Sequence, residues 1–222
     1  MLRVEGGRSD TAEFRQVQSR LRGYGRAPSM EEIARGGQRY PNQGGQSPSN
    51  YPEQGGVYAR GERVAYPSTR YQTQRNNLFS VAVPSNWRQV SGDQSSVSYA
   101  PEGAYGQQGI THGVMFSVGQ SNYNDLQRAA QEVVQGLLQS NTYLRQSTNF
   151  QRTTLGGRNA LATTLIGRSP ITGVNERVTI ITTPLGNGQV FYMAAVSPQN
   201  EYGTYQRAFN DILRSLQLNT RY

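Results

Sequence analysis

The chain contains a single histidine, His112, which stands in the sequence Gly109-Ile-Thr-His-Gly113. A histidine can bind a metal or act as a general base. A typical zinc site needs three or four His, Cys or carboxylate ligands, whereas this chain has no Cys and no run of carboxylates near His112. We therefore expect a structural or solvent-exposed role for His112, and we expect no metal or cofactor in this chain.

The common catalytic motifs are also missing from the sequence. It contains no His-Glu-x-x-His zinc helix and no Gly-x-Ser-x-Gly nucleophile turn. Because it contains no Lys, it has no Gly-x-x-x-x-Gly-Lys phosphate loop either. The sequence therefore predicts no catalytic residue, and we do not expect this chain to be an enzyme.

Three tyrosines, Tyr99, Tyr105 and Tyr123, lie near loops on either side of a predicted strand over residues 110–118. His112 stands at the start of that strand. Tyrosine combines a large apolar ring with a polar hydroxyl, a combination that suits recognition, so these four residues are a candidate interaction surface. The alternative is that they belong to an ordinary protein surface, where such tyrosines are common.

The net charge is +8 and the isoelectric point is about 10.0, which raises the question of nucleic-acid binding. The 22 basic residues are all Arg and are spread along the whole sequence without a basic run. A surface that tracks phosphates has its basic residues clustered on one face. We therefore interpret the excess of positive charge as a solubility charge and do not expect nucleic-acid binding.

A change of composition near Asn76 divides the chain. Residues 1–37 predict two short helices, over 10–22 and 29–33, which we interpret as the tail of a preceding domain. Residues 38–75 form a Gly/Gln/Pro-rich flexible linker with an edge strand expected within 57–75. Residues 76–222 are predicted to fold as one domain, which is long enough to bury its own core.

This predicted domain alternates strand and helix signals. We expect strands over 78–83, 95–99, 110–118, 150–155, 158–166, 174–183 and 189–196, and long amphipathic helices over 124–138 and 201–216. Asn124 is expected to cap the first helix. The short Gly-containing connections favour antiparallel pairing. The sequence thus predicts an α+β fold, with an antiparallel sheet of six or seven strands covered by the two helices.

Two side chains are expected to stabilise that core. Trp87 follows Pro84 at the end of the first predicted strand, where a large aromatic residue usually closes a core. Phe209 lies on the apolar stripe of the last helix, whereas Arg207 lies off it. We therefore expect Trp87 and Phe209 to be buried and Arg207 to be exposed.

The sequence Leu78-Phe-Ser-Val-Ala-Val-Pro-Ser-Asn-Trp87, followed by strands, a helix, four strands and a last helix, resembles the PsbP-like domain. The segments Phe14-Arg-Gln-Val-Gln-Ser-Arg-Leu21 and Ala27-Pro-Ser-Met-Glu-Glu-Ile33 resemble the region after the catalytic domain of bacterial HtpX-like zinc metallopeptidases. None of the zinc ligands of that family is present in this chain. The resemblance therefore implies a non-catalytic C-terminal extension of such a peptidase.

The predicted function is that of a non-catalytic accessory or protein-interaction domain. The partner would be a peptidase domain, a substrate protein or an envelope assembly, and the resemblance implies a periplasmic or cell-envelope location. The N-terminal residues lack the apolar core of a signal peptide, and no apolar stretch is long enough for a transmembrane helix. The alternative is a free-standing ligand- or nucleic-acid-binding module.

Overall fold

The computed structural model describes residues 63–92, 95–106 and 109–219. The elements before the first helix are β1 (Tyr71–Arg75), β2 (Phe79–Pro84), β3 (Trp87–Gly92), β4 (Ser96–Pro101), β5 (Tyr105–Gly106), β6 (Gly109–Ile110) and β7 (Gly113–Gln120). They are followed by α1 (Leu126–Ser140), β8 (Leu144–Gln146), β9 (Gln151–Leu155), β10 (Arg158–Arg168), β11 (Asn175–Gly186), β12 (Gln189–Pro198), α2 (Tyr202–Ser215) and β13 (Gln217–Leu218).

The main sheet has the strand order β3-β4-β7-β12-β11-β10-β8, and β9 pairs with β10 beside β8. All its pairings are antiparallel. Short hairpins connect β9 to β10, β10 to β11 and β11 to β12. The first of them is a two-residue turn in which Gly156 and Gly157 have φ of 57° and 78°, a conformation that glycine adopts without strain.

The two helices lie on opposite faces of the main sheet. Along β12, Phe191, Met193 and Ala195 belong to the core on the α2 side, and the alternate residues Ala194 and Val196 belong to the core on the α1 side. This alternation follows from the two-residue period of a strand. Because each face carries a helix, the sheet is buried on both sides in its centre.

A second, smaller sheet has the order β1-β2-β13 and closes the core on the α2 side. Its middle strand β2 contributes Phe79, Val81 and Val83 to that core. One edge of β2 pairs with β1 over the whole length of β1. The other edge pairs with β13 and then meets Ser215, whose hydroxyl accepts a hydrogen bond from the amide of Ala82 at 3.0 Å.

The predicted fold class is confirmed, because an antiparallel sheet carries two long helices. Several details differ from the prediction. Trp87 begins a further strand, β3, because its segment pairs with β4. Asp125, rather than Asn124, caps α1, since its carboxylate accepts a hydrogen bond from the amide of Arg128. The first predicted strand, β2, lies in the small sheet.

Trp87 and Phe209 are buried as predicted, with 1% and 6% of their surfaces exposed. Arg207 is exposed, also as predicted. β1 lies in the segment where an edge strand is expected. The predicted helices over 10–22 and 29–33 and the linker over 38–56 lie outside the described residues, so the domain boundaries stay a prediction. No helix in the described ranges is long and apolar enough to cross a membrane.

Candidate functional site

His112 lies between two oxygen-bearing side chains. Its Nδ1 is 3.0 Å from the hydroxyl of Thr111, and its Nε2 is 3.6 Å from a carboxylate oxygen of Glu201. The second distance is that of an ion-pair contact rather than of a hydrogen bond. The imidazole ring also contacts the ring of Tyr205 in α2, with 5.3 Å between centroids. These contacts join the start of β7 to the start of α2.

Burial controls the charge of this histidine. Only 5% of the surface of His112 is exposed, and this desolvation lowers its pKa to about 4. The imidazole is therefore neutral at pH 7. Burial also raises the pKa of the neighbouring Tyr205 phenol, and the charge of Glu201 adds to the effect. The cluster is thus held together mainly by neutral contacts and packing.

A hydroxyl, an imidazole and a carboxylate in a row are the components of a nucleophilic triad. Here the hydroxyl cannot reach a substrate, because Thr111 is 3% exposed and its Oγ1 also contacts the carbonyl of Ala104 at 3.2 Å. The next residue, Gly113, has a φ of 136°, and a Cβ there would lie 2.3 Å from the carbonyl oxygen of Tyr99. The arrangement therefore fixes the turn before β7 against β4 and α2.

The structure does not bring the four predicted interaction residues together on one surface. Tyr99 is 2% exposed and packs in the α2-side core, and His112 is also buried, so neither ring can contact a partner. Tyr105 is partly exposed and pairs with the guanidinium of Arg88. Tyr123, 43% exposed, lies 5.7 Å from the guanidinium of Arg128 at the start of α1.

A different group of exposed residues lies along α2. Tyr66 and Tyr71, 37% and 36% exposed, both contact this helix. The ring of Tyr66 meets that of Tyr205 edge-on at 6.2 Å, and the hydroxyl of Tyr71 donates a hydrogen bond to Asp211 at 2.9 Å. We use the name tyrosine–arginine face for these two tyrosines with the three arginines beside them, Arg63, Arg207 and Arg214.

The arginines of this face are held in place by aromatic and acidic neighbours. The guanidinium of Arg63 lies 4.4 Å from the centre of the Tyr66 ring, a distance suited to a cation–π contact. Arg207 and Arg214 approach Asp211 at 3.9 and 3.7 Å, and their side chains are 86% and 78% exposed. The Asp211 carboxylate thus stands beside two guanidinium groups, and the Glu201 carboxylate and the Arg63 guanidinium both act on the Tyr205 phenol, so that arginines are in the majority on this face.

Sequence reasoning missed this face because both tyrosines fall within the segment interpreted as a linker. The available signal was the recurrence of Arg and Tyr in Arg63-Val-Ala-Tyr66 and Arg70-Tyr71. The stripe Arg207, Asp211 and Arg214 on the outer side of α2 was visible as well. What the sequence could not show is that the two segments lie side by side.

Other features of the described residues offer little to a small ligand. An apolar crevice between the two sheets, lined by Leu78, Val118, Leu185 and Leu218, has room for about one water molecule. No three His or acidic side chains lie close enough together to hold a metal ion among the described residues.

No protein-family model and no curated protein sequence matches the chain. Solved structures do resemble it. The solution structure of cyanobacterial PsbP from Synechocystis has a TM-score of 0.47 and 8% identity, covering 70% of this chain and 95% of that one. The Ran-binding protein Mog1p of Saccharomyces cerevisiae has a TM-score of 0.46 and 10% identity, covering 68% and 96%.

A crystal structure of a Bacteroides thetaiotaomicron protein has a TM-score of 0.40 and 14% identity. The match covers 64% of this chain, which spans less than half, 46%, of the length of that protein. At such identities the similarities concern the fold and carry no argument about function. A PsbP structure is among the structures similar to this chain. The link to HtpX-like metallopeptidases stays a prediction.

Proposed function

We propose that this chain is a non-catalytic accessory domain that binds a protein partner through the tyrosine–arginine face. The observation that supports this proposal most directly is that Tyr66 and Tyr71 stay exposed although each contacts α2. Tyr and Arg are the residue types, together with Trp, that contribute most to protein–protein binding energy. The face consists of these two residue types, with the Asp211 carboxylate between Arg207 and Arg214.

The two tyrosines are already oriented for binding. Tyr71 is fixed by its hydrogen bond to Asp211, and desolvation together with that bond raises its pKa to about 12, so its phenol is neutral at pH 7. Tyr66 is held between Tyr205 below and Arg63 above. Side chains that are ordered before binding lose little entropy when they bind, which favours affinity.

The charge of the face indicates the chemistry of the partner. Its three arginines, Arg63, Arg207 and Arg214, outnumber the two nearby carboxylates, those of Asp211 and Glu201. An acidic protein surface would complement this charge and would be attracted over a Debye length of about 8 Å in physiological salt. We therefore propose an acidic protein partner.

Site-specific crosslinking in cells that produce the protein tests this proposal. A photoreactive phenylalanine analogue at Tyr66 should crosslink to a protein, and the double variant Arg207→Glu with Arg214→Glu should abolish that product. The matched control reverses two arginines at the far edge of the main sheet, Arg145→Glu with Arg152→Glu, and should leave the product unchanged. No product at position 66, or equal loss in both double variants, would contradict the proposal.

A narrower version of the proposal names the parent assembly. Residues 14–21 and 27–33 resemble the tail of a bacterial HtpX-like zinc metallopeptidase, so we propose an envelope or periplasmic accessory role beside such a peptidase. The test is the genomic sequence around the gene. A zinc peptidase with a His-Glu-x-x-His motif should be encoded in frame or next to it, and the absence of one would refute this version alone.

Nucleic-acid binding is the alternative that has to be distinguished from binding of a protein partner. Affinity for generic DNA or RNA would fall steeply with salt, because phosphate contacts release counterions. We expect no binding of a labelled 20-nucleotide RNA or DNA at physiological salt. Measurable binding that weakens steeply as salt rises, and that Arg207→Glu with Arg214→Glu removes, would replace the protein partner by a nucleic acid.

A further inference from the structure

The outer edge of β1 carries backbone groups that have no partner among the described residues. Two backbone hydrogen bonds show which residue pairs of β1 and β2 are hydrogen-bonded. The amide of Ser85 donates to the carbonyl of Arg70, and the amide of Asn76 donates to the carbonyl of Phe79. In an antiparallel ladder such pairs alternate with pairs that are not hydrogen-bonded. The bonded residues of β1 are therefore Gln72 and Gln74.

The remaining residues, Tyr71, Thr73 and Arg75, direct their amide and carbonyl groups away from β2. The same alternation directs the backbone of Ala82 away from β1, and Ser215 does bind the amide of Ala82 on that far side. In the described part of the chain, no side chain binds the outward amide and carbonyl groups of β1 as Ser215 binds the amide of Ala82. Four of its five residues are exposed, and the strand has no proline and no bulge.

The edges of the main sheet are interrupted among the described residues. At β3 the carbonyl of Trp87 accepts a hydrogen bond from the side chain of Gln72 at 2.8 Å, and a bulge between Gln89 and Ser91 breaks the register. The opposite edge is divided between β8 and β9, which pair with separate parts of β10. An open edge is a template for another strand.

We propose that β1 pairs antiparallel with β1 of a second copy of this chain, with Thr73 on the two-fold axis. The choice of partner follows from the sequence Tyr71-Gln72-Thr73-Gln74-Arg75. In this register Thr73 faces the partner's Thr73, and Tyr71 faces the partner's Arg75. Each of the three outward-facing residues then forms two backbone hydrogen bonds.

The side chains fit this register as well. The two arginines of the strand pair never face each other, since each lies opposite a tyrosine, where a cross-strand cation–π contact can form. Gln72 faces the partner's Gln74, and an amide side chain can both donate to and accept from another. A strand shifted by two residues would leave one outward-facing residue of each copy unpaired, so this register satisfies the most backbone groups.

Five-residue pairing is smaller than a standard protein interface, so the dimer is weak and depends on concentration. Sedimentation equilibrium of the whole chain from about 10 µM to about 1 mM should show a monomer–dimer equilibrium. Thr73→Pro removes only an outward amide, leaves the bonds to β2 in place, and should weaken dimerisation at least about tenfold. Thr154→Pro is the matched control on exposed β9 and should dimerise like the parent.

Amide exchange supplies a readout that needs no variant. The amides of Tyr71, Thr73 and Arg75 should become protected as the concentration rises, whereas those of Gln72 and Gln74 should be protected at every concentration. A parent chain that stays monomeric up to about 1 mM overturns the proposal. So does a folded Thr73→Pro chain that dimerises like the parent, or protection at Tyr71, Thr73 and Arg75 that does not change with concentration.

Discussion

The two faces of the main sheet have different cores. The core on the α2 side is aromatic and is enclosed by the small sheet as well as by the helix; its aromatic members are Phe79, Trp87, Tyr99, Phe116, Phe191, Tyr205 and Phe209. The core on the α1 side is smaller and aliphatic; its buried members are Val134, Leu165, Val178, Ile180, Ala194 and Val196.

The buried ionisable groups differ between the faces too. The α2 side buries the His112 imidazole, whose pKa is lowered. The α1 side buries the Glu176 carboxyl beside the hydroxyl of Tyr143 at 2.6 Å, and desolvation raises its pKa. A fall in pH therefore destabilises the fold through His112 and stabilises it through Glu176. From this comparison we expect most of the packing energy, and the loss of stability in acid, to come from the α2 side.

The largest expected effect is the loss of a ring on the α2 side. Phe209→Ala should lower the free energy of unfolding by roughly 3–5 kcal/mol, through lost transfer energy and a residual cavity. Val134→Ala on the α1 side removes two methyl groups and should cost about 2 kcal/mol. Guanidinium melts of both variants measure the difference. Equal costs would show that the two cores contribute alike, and a stable Phe209→Ala protein would mean that α2 is not docked.

The next effect is a loss of stability in acid. The pKa of His112 is 6.5 in the unfolded chain and about 4 in the folded one, so its contribution is present above pH 6.5 and is lost as the pH falls towards 4. Between pH 7 and pH 5 the loss should be about 2 kcal/mol. The Glu201 carboxylate near Nε2 favours the charged imidazole and works against this loss.

Urea melts at pH 7 and pH 5 measure the effect, and His112→Gln is the variant that should remove it. Since His112 is the only histidine of the chain, the assignment is direct. Glu176 has the opposite sign, because a raised pKa gives stability that is present at low pH and is lost as the pH rises. A His112→Gln protein that loses as much stability between pH 7 and pH 5 as the parent would contradict the expectation for His112, because the Glu176 contribution is common to both proteins.

The smallest expected effect is on the exposed stripe of α2. Arg207→Gln should change the free energy of unfolding by no more than about 0.5 kcal/mol, because its side chain is 86% exposed and its contact with Asp211 is 3.9 Å long. The same melts provide the measurement. A larger loss would show that the tyrosine–arginine face stabilises the fold and is not only a surface for binding.

The sequence predicted the elements whose hydrophobic period is strong. α1 and α2 were recognisable because apolar residues recur along them at helical spacing. The strands β10, β11 and β12 were recognisable as long, mostly apolar segments bounded by turns that contain glycine. β3 was missed since Arg88 and Gln89 are exposed at the sheet edge, which gives the segment little apolar pattern. No local signal could assign β2 to a separate sheet, because that depends on its pairing with β13 near the far end of the domain.

The chemistry of single residues was predicted better than their grouping. The lack of other ligand residues predicted a structural or solvent-exposed role for His112, and the structure buries it. Its contact with Glu201 could not be predicted, because 89 positions separate the two in sequence. Tyr99 was expected near a surface because it adjoins a loop, but it lies on β4, which is buried along its whole length between β3 and β7.

The pairing of β2 with β13 has a consequence for synthesis on the ribosome. Leu218 lies opposite Phe79, so one of the last described residues completes the sheet that one of the first begins. Contacts between such distant segments form slowly, because a long loop must close first. Until α2 and β13 have left the exit tunnel, they cannot pack on the aromatic side chains of the α2-side core. The domain must therefore complete its folding after nearly all of it has been made, which gives chaperones a period in which to bind it.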